Sequence, residues 1–500
     1  MRRKLFTMTI LLTAGVLTYL GFEYIIKILS KTLYTQILSR VGLGVLVVTT
    51  WISVLFRSDK NANNMPWLLL LTLVPVLGIV LFLSFGRDYK KSSRYKARNL
   101  LENEGYLSYE PENDIEILPD EVKELFTYTS SITKHHIYSN DTRSTVLTNG
   151  AEFFNDLIKK IENAKKFIFL QFYIIKSDAL GKYILDMLID KAKSGVEIKI
   201  MYDYFGGQEF NRKYIKKLKG YGIEVIAIDK VLVPILNTRV NYRNHRKVVI
   251  IDGEYGYTGG FNIGSEYLFG TKKYKWRDTH LLIEGNMVKS LTAVFVRDWY
   301  YVTNEFINDS KYFKHKEVSE AGYLQVLQSG PDTAPNIRNT YIKLITNAKK
   351  SIKITTPYLG LDSETLLALT MAAQSGIKVE IIIPGVPDKM LVYKVTESFI
   401  ELLLKSGVHI YKLKDTFTHA KVLIIDDLIA SCGTYNFDIR SSMINFEVTI
   451  LMYNNSVRTL VNDFKNDVEN SNKVLLEEWN NRSFFNKLFT ELFKLITPLT

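Results

Sequence analysis

Along the chain the spacing of apolar positions changes character near residue 90. Ahead of that point, long runs carry no charge: residues 5–22, 41–56 and 61–86, of eighteen, sixteen and twenty-six residues. About twenty apolar residues cross a bilayer as a helix. The run 61–86, with Trp67 near one edge and Arg87 at the other, therefore predicts a span, and 5–22 is a second candidate. The run 41–56, closed in by Arg40 and Arg57, is short for a span and also fits a re-entrant or interfacial helix. Beyond residue 90 the periods are those of a globular α/β chain. Phe154, Leu157, Ile158 and Ile161 recur at helical spacing, as do Ile184, Leu185, Leu188 and Ile189. The short apolar stretch 168–173 and the run 196–202 read as strands.

The pattern then repeats. Lys165-Lys166-Phe167 leads into the first of these strands, and Lys349-Lys350-Ser351 leads into an apolar stretch at 352–358. Ser194-Gly195-Val196 and Ser375-Gly376-Ile377 each open a second strand; Tyr221-Gly222-Ile223 and Ser406-Gly407-Val408 precede a third. Helical patterns at 337–348 and 364–373 fill the matching places. Each half thus predicts strand, helix, strand, helix, strand. That order belongs to the α/β class and implies two α/β sandwich domains, each on a largely central sheet. A pseudo-two-fold axis between them would bring equivalent segments to one cleft.

Both halves end in the same frame, His-x-Lys-x-x-x-x-Asp. The first is His245-Arg246-Lys247-Val248-Val249-Ile250-Ile251-Asp252, and the second is His419-Ala420-Lys421-Val422-Leu423-Ile424-Ile425-Asp426. Each is followed by a short sequel, Gly259-Gly260-Phe261-Asn262 and Gly433-Thr434-Tyr435-Asn436. The apolar residues between Lys and Asp predict a strand, on which side chains two apart share a face. Each Asp is expected to hold the histidine of its own or of the opposite frame, fixing tautomer and orientation. A neutral imidazole can attack a phosphodiester phosphorus while a second, protonated one supplies the leaving alkoxide with a proton. Lys247 and Lys421, with the amides of Asn262 and Asn436, would hold the non-bridging oxygens where charge develops. An ordinary buried strand with a satisfied histidine explains one frame well and two matched frames poorly.

Charge narrows the partner. Sixty-four Lys and Arg against fifty-two Asp and Glu leave +12, which attracts polyanions. No nucleic-acid-binding module is recognisable, so anionic lipid is the better fit. The opening Met1-Arg2-Arg3-Lys4 before an apolar run has the form of a signal peptide, but no Ala-x-Ala-like site follows, which favours an uncleaved anchor. Lys90, Lys91, Arg94 and Lys96 follow the run ending at Gly86, and the positive-inside rule then puts the soluble region on the cytoplasmic side. The lone Cys432 excludes an internal disulfide and reads as a small buried strand residue. His135-His136, His315 and His409 show no metal-ligand spacing. The tail 484–496 places Phe485, Leu488, Phe489, Leu492 and Leu495/Ile496 on one helix face, for packing on the catalytic core or for lying in a membrane interface.

The paired frames and their sequels resemble the phospholipase D superfamily, whose signature is His-Lys-Asp followed by Gly-Ser-x-Asn; Gly260 and Thr434 stand at the Ser position here. Within it the chain is similar to the bacterial cardiolipin synthases. That likeness rests on the stretch 66–87, on Gly259 to Tyr267, on Trp276-Arg277-Asp278-Thr279-His280, on Gln328-Ser329-Gly330-Pro331, on Asn436 to Ser441 and on Asn445-Phe446-Glu447. The resemblance covers nearly the whole chain. It implies a membrane anchor of two or three hydrophobic segments at 1–90, a basic linker at 91–130, phospholipase D-like domains at 131–315 and 316–480, and an amphipathic tail at 481–500. It further implies transfer of a phosphatidyl group between two phosphatidylglycerol molecules at a bacterial membrane, with no cofactor and no metal. In family usage one frame's histidine is the nucleophile and the other's the acid/base; we expect His245 and His419 respectively. Glu266 and Glu447 are expected to orient a histidine, to bind the acceptor's hydroxyls, or to be buried carboxylates bonded to backbone. Gln171 and Thr356 are weaker candidates near the cleft, and His280 reads as structural. A phospholipase D-type hydrolase, a phosphatidylserine synthase, a nuclease and a lipid-binding scaffold are the competing readings.

Overall fold

The two frame strands form where the β-branched runs place them, at Val248–Ile251 and Val422–Ile425, and every residue in both is buried. The computed structural model describes residues 24, 27–28, 32–55, 64–73, 75, 78–79, 82, 118–133, 136–139, 141–230, 242–319, 322–495 and 497. The chain divides into two units: one gathers 1–91, 231–241 and 483–500, the other 92–230 and 242–482.

In the larger unit, the first half is a seven-stranded sheet. Its spatial order is Thr142–Leu147, His280–Gly285, Tyr255–Gly259, Val248–Ile251, Phe167–Phe172, Glu197–Asp203, Glu224–Ile228. The last three run parallel, joined by crossover helices, and the other neighbours pair antiparallel. Helices Gly150–Asn163 and Ala179–Lys193 bury Phe153, Phe154, Leu157, Ile184, Leu185 and Leu188 against one face. Helix Val288–Thr303 covers the other, where Phe295 stacks on Phe169 with ring centroids 4.7 Å apart.

The second half repeats this order through Tyr323–Ser329, Glu447–Tyr453, Ile429–Gly433, Val422–Ile425, Ser351–Thr355, Lys378–Pro384 and His409–Leu413, with one more strand at each edge. One of these is Ile137–Tyr138, which pairs with Tyr323–Ser329. Helix Asp120–Ile132 joins the same half, since Thr129 Oγ1 donates to Gln325 Oε1 at 2.5 Å. Helix Asp120–Ile132 and strand Ile137–Tyr138 therefore pack with the second half before the chain enters the first sheet.

Contacts between the halves are reciprocal. Strand Tyr255–Gly259 touches both Ile429–Gly433 and Glu447–Tyr453, and Ile429–Gly433 in turn touches His280–Gly285. Equivalent segments meeting in exchanged pairs are what an approximate two-fold axis produces. Ser144 and Ser456 hydroxyls bond across the boundary at 2.8 Å, and Arg277 pairs with Asp463 and Asp467.

In the smaller unit the expectation for the membrane segments is revised. Among the described residues one helix is long and apolar enough to span a bilayer, Leu33–Leu55, with 23 residues and mean hydropathy 1.8. At about 1.5 Å per residue it reaches about 34 Å, slightly more than a hydrocarbon core. The run 41–56 looked short because Arg40 was taken as its limit; the helix starts seven residues earlier and carries that arginine inside it. The favoured run 61–86 contributes helix Asn64–Leu73, and Trp67, Leu71, Ile79 and Phe82 are buried with Val54. The candidate 5–22 and the basic stretch 87–98 lie outside the described residues. The C-terminal helix Phe484–Leu495 groups with this unit.

Candidate active site

Each histidine lies just ahead of its frame strand rather than on it, and is fixed by the opposite half. The backbone N–H of His245 donates to Phe446 O at 2.9 Å, and that of His419 to Arg277 O at 2.6 Å. The residues after those two carbonyls supply the side-chain partners. His245 Nδ1 lies 3.0 Å from both oxygens of Glu447, and His419 Nδ1 lies 2.6 Å from Asp278 Oδ2. A carboxylate on Nδ1 fixes the tautomer with the proton there and a lone pair on Nε2. Among the described residues neither Nε2 has a hydrogen-bond partner, and both histidines are buried.

The frame lysines reach back over the histidines. Lys247 Nζ donates to His245 O at 2.8 Å, and Lys421 Nζ donates to His419 O. One bond of three leaves each ammonium two hydrogens for a ligand. Aromatic rings wall the site: Tyr173 stands edge-on to His245 at 5.1 Å, and Trp276 lies 5.3 Å from His419.

Burial governs the charges. It pushes His245 down to about 4, with Glu447 pulling the other way, and His419 well below its ordinary value, so burial favours the neutral form of both imidazoles. Burial also lowers Lys247 to about 7, helped by repulsion from Lys421, and Lys421 to about 8. The charges also act across the frames, Lys421 lowering His245 and Lys247 lowering His419.

The frame aspartates do something else. Asp252 accepts the backbone N–H groups of Lys165, Lys166 and Phe167 at 2.7, 2.7 and 2.9 Å. Asp426 accepts those of Lys349, Lys350 and Ser351 at 2.8, 2.7 and 2.8 Å. Both lie at positive φ, 55° and 56°, in the turn that closes the frame hairpin, where Asp is tolerated. They pin the start of the neighbouring strand and touch neither histidine, which corrects the expectation that they orient the rings.

Glu266 is also displaced: it pairs with Lys176 at 2.8 Å and reaches no histidine. Its supposed place belongs to Asp278. Strand pairing sets Gly259 opposite His280 and Gly433 opposite Thr449, so Asp278 and Glu447, each two residues earlier, are equivalent. The sequence carries that signal, a carboxylate at or just before the start of the strand that follows each sequel. Short helix Glu266–Phe269 and its loop lengthen the first copy and disguise the match.

The small sequel residues follow from the same geometry. A Cβ on Gly260 would fall 1.8 Å from Asp278 Oδ1, so only glycine fits there, whereas Thr434 donates its hydroxyl to Glu447. Asn262 spends its amide on Ile174 N and Tyr267 OH, while buried Asn436 keeps an Oδ1 with no protein partner. Gln171 holds Asn244 and Asp298 behind His245, and Thr356 holds Phe437 N after the second sequel. His280 packs 4.2 Å from Phe153 and accepts from Phe261 N, a structural role.

A family model described as cardiolipin synthase, PLD-like domain, matches residues 157–299 and again 341–469, just over half of the chain. A second, described as phospholipase D-nuclease N-terminal, matches residues 45–87. The chain is 38% identical over 457 residues to cardiolipin synthase 2 of Bacillus anthracis, covering 89% of this chain and 88% of that protein. It is 36% identical over 465 residues to cardiolipin synthase of Alkalihalophilus pseudofirmus, covering 91% and 92%. Among solved structures, phosphatidylserine synthase of Haemophilus influenzae superposes with a TM-score of 0.57 at 18% identity, over 76% of this chain and 98% of that one. At that identity the likeness speaks for the fold alone.

Proposed function

The chain belongs to the PLD-like cardiolipin synthase family, and on that premise we propose that it transfers a phosphatidyl group from one phosphatidylglycerol to another, giving cardiolipin and glycerol. The observation that carries the mechanism is the exchange of carboxylates: each half's histidine is held at Nδ1 by the other half, leaving two Nε2 atoms and two ammonium groups in one site.

His245 Nε2, neutral because it is buried, attacks phosphorus and forms an N–P bond as the bond to the departing glycerol oxygen breaks. His419 supplies that oxygen with a proton. It needs to be charged to do so, and the anionic phosphodiester raises its proton affinity when bound beside it. Lys247 and Lys421 hold the non-bridging oxygens, with the unpartnered Asn436 amide at the edge. His419, now neutral, takes the proton from a hydroxyl of the second phosphatidylglycerol, whose oxygen displaces His245 and completes cardiolipin. Water in that place would give phosphatidic acid, the outcome in a hydrolase; serine as acceptor would give phosphatidylserine.

The helix Leu33–Leu55, long and apolar enough to span a bilayer, supports attachment to a membrane, and the basic residues after Gly86 favour a multi-pass anchor with the catalytic unit on the cytoplasmic face. The test is to supply labelled phosphatidylglycerol to membranes holding the wild type, His245→Ala or His419→Ala, and resolve the products. Cardiolipin with equimolar glycerol, lost in both variants, is expected. Phosphatidic acid as the main product would make the protein a hydrolase, and no turnover at all would sink the enzyme reading.

A further inference from the structure

The catalytic unit displays large apolar side chains beside the His419 side of the site. Phe269 is 75% exposed at the end of its short helix, Met390 is 62% and Leu391 47% exposed at the start of helix Met390–Lys405. Phe269 is not on a loose end. Gly270 follows at φ +71°, which favours glycine, and the next turn is closed by Thr271, whose N–H donates to Tyr274 O and whose hydroxyl accepts from Lys273 N and Tyr274 N. A braced turn that holds a phenyl ring in water suits a ring that meets a partner.

The two apolar segments are neighbours. Lys275–Arg277 pairs in parallel with Thr416–Thr418, and Gly385 N–H donates to Thr416 O. Asp388, bonded to Tyr358 OH at 2.6 Å, acts electrostatically on Tyr274, and Lys389 on His419. Those paired strands run directly into Asp278 and His419, so their outer ends, Lys275 and Thr416, stand three residues from the chemistry, about 10 Å of extended chain. Around it stand five exposed lysines, Lys272, Lys273, Lys275, Lys389 and Lys414, against Asp388 and Asp415.

We propose that the loops at 269–275 and 386–391 form a rim that inserts shallowly into the surface of an anionic bilayer and delivers lipid headgroups to the His419 side of the site. The apolar tips enter the headgroup–acyl boundary while the lysines engage anionic headgroups, the arrangement of an interfacial contact. A second protein would be expected to meet a flatter, less basic patch. The inference rests on the lipid-transferase reading, and its test separates the two.

The lone Cys432 is fully buried, so introduced cysteines can be labelled selectively. The full chain carrying Phe269→Cys, Met390→Cys or, as control, Leu428→Cys in the exposed hairpin turn at the other end of the second frame strand, is labelled with a polarity-sensitive dye and reconstituted in phosphatidylcholine vesicles with or without phosphatidylglycerol. Labels at 269 and 390 should shift to the blue and be quenched by lipid-borne nitroxides when phosphatidylglycerol is present, less so at high salt; the label at 428 should do neither. Phe269→Asp should lower turnover on vesicles several-fold and leave turnover of a short-chain soluble diester unchanged. Labels that stay water-exposed while the vesicles make cardiolipin would overturn the rim and leave the synthase reading intact. Insertion without cardiolipin would keep the rim and sink the synthase. Blue-shifted labels quenched by a nitroxide on a second copy of the chain, and not by lipid, would replace the bilayer with a protein contact.

Discussion

His245 and His419 occupy the same place in their frames, and each leans on a carboxylate from the opposite half, yet those carboxylates are held differently. Burial pushes Glu447 up, but His245, Lys247 and the Thr434 hydroxyl together bring it below the ordinary carboxylate range. Ser441 adds a further donor at 3.0 Å. Asp278 has His419 and the Thr279 N–H, and burial pushes it up to about 6. A firmly anionic partner suits an imidazole that becomes cationic on forming an N–P bond. A partner that titrates near neutrality suits an imidazole that must gain and lose a proton in every cycle. The asymmetry thus agrees with His245 as nucleophile and His419 as acid/base.

The severest break of that comparison is to remove the rings. Either His→Ala substitution should lower turnover by at least about 10²- to 10⁴-fold, but rapid quenching of the wild type with labelled lipid should place the covalent label on His245 alone. Label recovered on His419 would invert the assignment. Next comes Glu447→Gln, where loss of the anion should cost roughly 10⁴-fold, as when an orienting carboxylate is neutralised elsewhere. Asp278→Asn should cost less and chiefly remove the pH dependence near 6. Equal losses with unchanged pH profiles would show that the two carboxylates do the same work.

The lysines sharpen the electrostatic half of the argument. Lys247 falls to about 7 and Lys421 to about 8, burial being the main cause. Between those values and the ordinary lysine value the unfolded chain binds more protons than the folded one, so stability rises with pH across that window. Below about 7 the full cost of both buried charges stands. Lys247→Met should flatten the rise, stabilise the protein near neutral pH and cut turnover by about 10²- to 10³-fold. Melting temperatures against pH decide it; an unchanged slope would mean the ammonium is well solvated in the folded state.

The position after each sequel glycine offers a milder contrast. Gly260→Ala puts a methyl 1.8 Å from Asp278 Oδ1 and must push that carboxylate off His419, for an expected loss near 10²-fold. Thr434→Val removes one hydroxyl from a carboxylate that retains other donors, costing about 1.5–3 kcal/mol or less in stability. If Gly260→Ala is the better tolerated of the two, Asp278 has room the geometry denies it.

Most of the fold is legible in the sequence because burial writes it there. The Val-Val-Ile-Ile and Val-Leu-Ile-Ile runs become buried strands, and the faces carrying Leu157 and Leu188 pack as their spacing indicates. The frames also point to the two histidines and two lysines whose side chains meet in the candidate site. What the frames conceal is pairing across the halves. Nothing local tells His245 that its partner is Glu447, 202 residues on, because the pairing follows from how two sheets meet. The bounds of the apolar helix Leu33–Leu55 are hidden for a different reason: a single arginine, Arg40, ends the uncharged run but not the helix.

The frame aspartates carry the smallest effect on chemistry and the clearest test of that distinction. Asp252 and Asp426 each satisfy three backbone N–H groups at the start of a neighbouring strand, at positive φ in the hairpin turn. Replacement by Ala strips those acceptors and adds backbone strain, for about 1–3 kcal/mol of stability. Asn keeps one acceptor oxygen and tolerates the left-handed conformation, so it should cost less. The two positions should behave alike, in contrast to Glu447 and Asp278, because they do the same thing in each half. Turnover per folded molecule should stay within a few-fold of wild type, with the same pH profile. An Asp252→Asn variant that melts normally but no longer turns over would return the aspartate to the chemistry and remove the reason for assigning orientation to the exchanged carboxylates.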